Sequence, residues 1–172
     1  MSYLYQSYQS PLGRLIMAGD ELALTGLWFE GEVDNTVLAA ADLPGSDLPV
    51  FRQTRIWLDL YFGGQIPDFL PALQATGSVF QQTVWELLCQ IPYGETTTYG
   101  AIARQLASQN PKGRMSAQAV GGAVGKNPIA ILIPCHRVIG SDGSLTGYAA
   151  GVDKKRMLLA LESSPQQADR RS

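Results

Sequence analysis

Cys135 and His136 stand side by side in Pro134-Cys135-His136-Arg137-Val138, and His136 is the only histidine in 172 residues. A thiol beside the one side chain that ordinarily titrates near neutrality is a nucleophile beside a base. The competing reading is that Cys135 is an inert small hydrophobe, the usual fate of an isolated buried cysteine. Burial raises a thiol's pKa, so the nucleophilic reading needs the imidazole to take the proton, directly or through a water. Sequence neighbours in an extended strand point to opposite faces, so His136 serves Cys135 only across a bend or a water. Pro134 supplies a break. It ends the apolar run Ile129–Ile133 and puts the thiol at a bend on the edge of a buried element.

The second cysteine, Cys89, lies in an apolar helical stretch with no basic neighbour in sequence and reads as structural. Zinc asks for about four Cys, His or carboxylate ligands, and two distant cysteines with one histidine do not supply them. No metal is expected. A histidine base is commonly oriented by a carboxylate on its other ring nitrogen. The second half offers Glu86, Glu95, Asp142, Asp153 and Glu162. Glu162 follows Leu158, Leu159 and Leu161, which would anchor its helix against a core; the alternative is a solvent-facing helix end.

The elements that must position these groups follow from pattern. Tyr3 to Tyr8, Leu15 to Ala18 and Leu22 to Phe29 read as strands, joined by the turns Ser10-Pro11-Leu12-Gly13 and Gly19-Asp20-Glu21. Apolar positions between Leu48 and Phe62 predict an amphipathic helix ended by Gly63-Gly64. Pro67, Pro71 and Gly77 mark a linker, so the expected lobes are 1–76 and 77–172. The second lobe reads as helical over Val79 to Gln90 and Tyr99 to Leu106. Ala107 to Met115 reads as a loop. A helix capped by Ser116 runs to about Val124, and a last one, capped by Asp153, ends at Glu162. The fold class expected is α+β, a small sheet-and-helix lobe followed by a mainly helical one.

Composition narrows the function. Charged residues are 16% and hydrophobic ones 45%, which suits a folded chain with one core or two small ones. The N-terminus carries no basic-then-apolar leader, and the apolar stretch Val120–Ile133 is interrupted at 125–128, too short to span a bilayer. A reduced, cytoplasmic protein with no membrane association is expected. Net charge is only −2, but residues 1–76 carry −6 and residues 77–160 carry +4. That asymmetry suits a basic lobe facing an anion, although chance also produces it. The helices Tyr99–Leu106 and Ser116–Val124 could form a helix-turn-helix or simply a packing pair. Arg104, Lys112, Arg114 and Lys126 cluster around them, and Ala117, Ala119, Gly121, Gly122 and Ala123 would let the second helix approach a phosphate or groove closely.

Taken together, these residues resemble the O6-alkylguanine-DNA alkyltransferase (methylated-DNA–protein-cysteine methyltransferase) family. The match centres on Ile133-Pro134-Cys135-His136-Arg137-Val138, with Asn127-Pro128 upstream. Phe80-Gln81, Val84-Trp85, Ile91-Pro92-Tyr93-Gly94 and Thr98-Tyr99 precede it; Gly147-Tyr148, Lys154-Lys155, Leu158-Leu159 and Glu162 follow in order. The resemblance implies an RNase H-like first lobe and a winged-helix-like second lobe with a helix-turn-helix. It implies direct reversal of O6-alkylguanine in double-stranded DNA, with O4-alkylthymine a secondary candidate, by a monomer that needs no cofactor.

The resemblance also implies roles. Cys135 accepts the alkyl group in a single turnover. His136, through a water, takes its proton, and Glu162 holds the imidazole. Asn127 ties the turn carrying the cysteine, and Tyr99 bonds the guanine at N3. Cys135 and Val138 read the exocyclic amine through their backbones, Tyr148 flanks the base, and the Ala149 amide bonds O6. Gln118, Arg114, Arg137, Ala119 and Gly121 complete the DNA-binding set. Three positions depart from the family pattern. Gln118 stands where an arginine commonly fills the space left by the flipped base. The loop before that helix is longer and carries Lys112 and Arg114, the latter expected to compensate through a phosphate contact. Ala130 replaces a proline of eukaryotic relatives in the pocket wall. The rival readings are a lesion-binding helix-turn-helix module without transfer, and a cysteine hydrolase.

Overall fold

The computed structural model describes residues 3–43, 47–110, 112–145 and 147–163. The chain divides into two compact units. The first runs to Thr76 and recruits Pro128–Ala130 and the chain from Ala160; the second comprises Gly77–Asn127 and Ile131–Leu159. The expected single cut at 76 is therefore crossed twice by short later segments.

In the first unit, β1 (Leu4–Ser10), β2 (Gly13–Gly19) and β3 (Leu24–Phe29) form an antiparallel sheet in the order β1-β2-β3. Ser10 pairs with Gly13 across Pro11-Leu12. The Ser10 hydroxyl accepts from the Leu12 amide and donates to the Gly13 carbonyl, closing the turn that Pro11 pre-shapes. β2 is buried from Leu15 onward, and Leu24, Leu27 and Phe29 of β3 join it in the core. The far edge of β3 is not bare. Leu24 exchanges backbone hydrogen bonds with Ala72 and Gln74, and Leu27 with Pro128 and Ala130. Part of the expected linker is thus a sheet edge, and the segment 128–130 covers an edge that would otherwise expose unpaired amides.

Two helices complete the unit. α1 (Asn35–Ala41) was not expected; the Asp34 carboxylate caps it by accepting from the Val37 amide. α2 (Pro49–Phe62) begins with proline in its first turn, where the missing N–H is harmless. It buries Val50, Phe51, Thr54, Trp57, Leu58 and Tyr61 along one stripe and stops at Gly63-Gly64, Gly64 at φ +82°.

In the second unit, α3 (Val79–Cys89) opens with a reciprocal capping box between Ser78 and Gln81. Its buried face is Val84, Trp85 and Leu88. A two-residue strand, β4 (Thr97–Thr98), leads into α4 (Tyr99–Gln109), capped by Thr98. α4 runs one turn past its expected end and takes in three residues expected to be loop. α5 (Ala117–Gly125) starts at the Ser116 cap as expected. Asn110 organises the loop between the two helices: its amide donates to the Arg114 carbonyl and its side-chain oxygen accepts from the Lys112 amide. The Trp85 indole donates to the Ala123 carbonyl at 2.9 Å, fixing α5 on α3. β5 (Val138–Ile139) pairs in parallel with β4. α6 (Val152–Glu162) begins one residue before Asp153, which lies inside its first turn paired with Arg156 and does not cap it.

Candidate active site

The apolar run before Cys135 is buried throughout, but it is not a regular strand. Ile131 has φ +70°, a left-handed conformation that a β-branched residue adopts only under constraint. Pro134 then introduces a single 3-10 turn, Cys135–Arg137. The Cys135 amide donates to the Ile133 carbonyl at 2.8 Å and the Arg137 amide to the Pro134 carbonyl at 3.0 Å. Successive side chains in such a turn project about 120° apart, so Cys135 and His136 leave the backbone in different directions. The bend expected from Pro134 is present.

Three ties hold this turn. The Asn127 amide, just beyond α5, donates to the Ile133 carbonyl at 2.8 Å, spanning the irregular segment. Val138 and Ile139 pair with Thr97 and Thr98, next to the start of α4. The Arg137 guanidinium donates to the Ile91 carbonyl at 2.7 Å and lies 5.6 Å from the centre of the Tyr93 ring. Arg137 is only 8% exposed, and these contacts hold its guanidinium in the interior of the second unit. It also brings a positive charge to Cys89, which had no basic neighbour in sequence.

Cys135 is buried at 8% exposure, and His136 and Val138 are fully buried. Tyr99, the first residue of α4, is half-buried. Two glycines lie beside it. A Cβ at Gly121 on α5 would lie 3.8 Å from the ring, and one at Gly147, at φ +73°, 3.7 Å from its hydroxyl. Lys155 of α6 is fully buried, with its ammonium 5.8 Å from the centre of the Tyr99 ring. Burial, and then the negative charge of a Cys135 thiolate, push the Tyr99 phenol above its ordinary pKa. Burial pulls the Lys155 ammonium below its ordinary value, and Cys135 partly opposes that. Asn127, Tyr99, Cys135 and Lys155 are thus assembled in one unit.

Glu162 is buried in the first unit, where its carboxylate accepts a 2.6 Å hydrogen bond from the Tyr61 hydroxyl. The solvent-facing alternative for Glu162 is excluded. Tyr61 stacks on Trp57 at 5.2 Å and carries no mark in the sequence that separates it from other core aromatics.

The remaining expected residues lie on the surface of the second unit. Gln118 and Ala119 are exposed on the first turn of α5; Tyr148 is half-buried and Ala149 exposed. Arg114 is exposed and, with Arg104, Met115 and Ser116, lines an open concavity of about 490 Å³ between α4 and the start of α5. Among the described residues, no group of three or more His, Cys, Asp or Glu could hold a metal, and no helix is long and apolar enough to cross a membrane.

Comparison with known proteins places the chain in a family. The profile of the 6-O-methylguanine DNA methyltransferase DNA binding domain matches residues 79–164, and that of the ribonuclease-like domain of the same proteins matches residues 3–71. The methylated-DNA–protein-cysteine methyltransferase of Haemophilus influenzae is 43% identical over 165 residues, covering 94% of this chain and 87% of its own. That of Methanosarcina acetivorans is 42% identical, covering 93% of this chain and 98% of its own. The crystal structure of the Mycobacterium tuberculosis O6-methylguanine methyltransferase superimposes with a TM-score of 0.80 at 40% identity, over 99% of this chain and all of that one. The Mycobacterium tuberculosis OGT solved in complex with DNA gives 0.78 at 41% identity, over 92% of each chain. With both domain profiles matched in order around a buried cysteine turn, this chain belongs to the 6-O-methylguanine DNA methyltransferase family.

Proposed function

We propose that this chain repairs DNA by taking the alkyl group from O6-alkylguanine in a duplex onto Cys135, each molecule acting once. The observation that carries the reading is the tethered turn. A buried thiol sits on a strained segment clamped by Asn127, with a tyrosine and a buried lysine in its electrostatic reach. A single-use nucleophile needs to be held in place and kept from adventitious electrophiles until the substrate arrives.

The target base is extruded from the duplex, which costs a few kcal/mol and must be offset by stacking and hydrogen bonds in the pocket. Arg114 and Arg104 bind phosphates. Gln118, on the first turn of α5, takes the place of the displaced base, and the small residues Ala119 and Gly121 let the helix backbone come close. Tyr148 flanks the extruded guanine, the Ala149 amide bonds O6, and backbone groups of Cys135 and Val138 read the exocyclic amine. His136 takes the thiol proton through a water. Sulfur then attacks the alkyl carbon, the O6–carbon bond breaks, and its electron pair stays on the guanine, which receives a proton from Tyr99 at N3. The thioether formed has no ready leaving group at neutral pH, so the protein is consumed.

Intact-mass measurement after mixing with a duplex containing O6-methylguanine tests this. One methyl group on Cys135 and a repaired strand are expected, with Cys135→Ser inert. Repair of several equivalents of DNA by an unmodified protein would establish a hydrolase instead. Tight lesion binding with no methyl transfer would establish a binding module.

A further inference from the structure

We propose that Asn110 is a positioning residue for DNA binding. It locks the turn between α4 and α5 into a pre-shaped cationic grip, so that Arg114 meets the phosphate backbone of a duplex without the turn having to order on contact. The inference rests on the duplex-binding step of the reading above.

Both backbone groups and both side-chain groups of Asn110 are used within the turn. Its backbone amide donates to the Ala107 carbonyl at 3.2 Å, and its carbonyl accepts from the Gly113 amide at 2.8 Å. Its side-chain amide donates to the Arg114 carbonyl at 2.9 Å, and its side-chain oxygen accepts from the Lys112 amide at 3.1 Å. The side-chain bonds therefore end on the backbones of the two cationic residues of the turn. Gly113, between them, sits at φ +65°, a left-handed conformation that glycine adopts without cost. An aspartate in place of Asn110 would keep the acceptor and lose the donor.

Charge identifies what the turn meets. No Asp or Glu stands between Glu95 and Asp142, whereas Arg104, Lys112, Arg114, Lys126 and Arg137 do. Arg137 is held in the interior, and the other cations are exposed. Residues 112–114 and 116–119 are exposed in succession, with Met115 half-buried between them, so the turn and the start of α5 share one outward face. Arg104 of α4 and Arg114 line the same open concavity. A surface of one sign, with no competing carboxylate in that stretch of chain, fits a polyanion.

The need for a rigid turn follows from what α5 lacks. Gln118, on its first turn, is uncharged, and Arg114 is the cation that precedes it in the chain. A loose turn would have to order several residues on contact with DNA, each at an entropic cost, and would bind more weakly for it. Asn110 orders those residues in advance. Phosphate contacts set a protein's register and orientation on the duplex, so a fixed Arg114 also fixes where Gln118 enters.

The test measures affinity for a fluorescently labelled duplex without a lesion at several salt concentrations, at a temperature where each variant is folded by circular dichroism. Single-turnover methyl transfer by the parent is followed in parallel. Asn110→Ala is expected to weaken binding about tenfold, the equivalent of freeing roughly one residue of backbone. The dependence of log affinity on log salt is expected to become shallower by about 0.9, one phosphate's worth, although no cation has been removed. Gly113→Ala reaches the same loss by another route. A Cβ there meets nothing within 4 Å, so only the left-handed backbone is disfavoured, and binding is expected to weaken by up to about tenfold. Arg114→Ala added to Asn110→Ala is expected to cost less than about twofold more, because the two act as one unit. A residue that only stabilised the fold would lower the unfolding midpoint and leave the affinity and salt slope of the folded protein unmoved. A folded Asn110→Ala protein with unmoved affinity overturns the proposal, and so do losses from Asn110→Ala and Arg114→Ala that simply add. If Asn110→Ala does not fold, Gly113→Ala is read under the same criteria. Coupled losses in a protein whose parent transfers no methyl support the turn and overturn the repair reading instead.

Discussion

The Tyr61 hydroxyl donates a 2.6 Å hydrogen bond to the Glu162 carboxylate, and both side chains are buried within the first unit. The two lie 101 residues apart in sequence. A bond this short to a buried acceptor is of the charge-assisted kind, stronger than a neutral pair. Tyr61→Phe keeps the ring on Trp57 and removes only the donor. It is expected to destabilise the protein by about 1–3 kcal/mol, since a buried carboxylate loses a partner. Urea unfolding checks this: the midpoint falls while the slope stays unchanged.

Asn127 is expected to separate stability from chemistry. Its bond to the Ile133 carbonyl spans a segment in which Ile131 is held at φ +70°. Such a conformation persists only while its surroundings enforce it. Asn127→Ala should therefore lose about 0.5–1.5 kcal/mol of stability, because the Ile133 carbonyl loses one of its two donors and keeps the Cys135 amide. Methyl transfer should slow by more than the loss of folded protein accounts for, because the cysteine turn loses its fixed position. Single-turnover rates, measured where both proteins are fully folded by near-ultraviolet dichroism, decide it. Equal rates there would remove the tether from the mechanism.

The parts of the molecule set by local chemistry were legible in the sequence. Ser10-Pro11-Leu12-Gly13 specified its hairpin, and Ser116 its cap. Leu48 to Phe62 announced α2 through its apolar stripe, and Pro134 announced the bend at Cys135. Tertiary contacts overrode the rest. Ile129–Ile133 has the composition of a buried strand, yet only Ile129 bridges to β3, and Ile131 turns left-handed. Ala107, Ser108 and Gln109 were read as loop because Asn110-Pro111 follows, but the residue before a proline is disfavoured in a helix and the three before it are not. α1 was missed although Asp34 caps it, because seven residues give too short a pattern to distinguish from loop. The long-range pairs left no local mark. Nothing near Tyr61 points to Glu162, and nothing near Arg137 points to Ile91.

Gln118 offers a gain-of-function test. It is exposed on the first turn of α5 and carries no charge. Gln118→Arg is expected to tighten binding to duplex DNA and to steepen the dependence of log affinity on log salt by about one phosphate's worth, roughly 0.9. Arg114→Ala is expected to change both in the opposite direction. Titrations at several salt concentrations measure the two slopes. An unchanged slope for Arg114→Ala would mean that the residue meets no phosphate.

Lys155 makes a prediction about stability that is independent of DNA. Burial depresses its pKa in the folded protein, while in the unfolded chain it titrates at the ordinary value. Between the two values the unfolded chain binds the extra proton, so stability rises with pH over that window. The contribution is least favourable below the folded pKa and levels off above the ordinary lysine pKa of about 10.4. Lys155→Met should remove that rise and be more stable than the parent at neutral pH. Urea midpoints for the two proteins at stepped pH check the sign: their difference should shrink as pH increases.

Gly121 is expected to set stability against function. It lies inside α5, where glycine is about 0.5–1 kcal/mol less favourable than alanine. A Cβ there would make only ordinary contact with the Tyr99 ring, at 3.8 Å. Gly121→Ala is therefore expected to raise the unfolding midpoint. The added methyl lies between the helix that approaches the DNA and the tyrosine proposed to protonate the base, so methyl transfer should slow. A calorimetric midpoint and a single-turnover rate on the same preparation give both readings. A variant that gained stability and kept its full rate would show that the close approach of α5 to Tyr99 is packing alone.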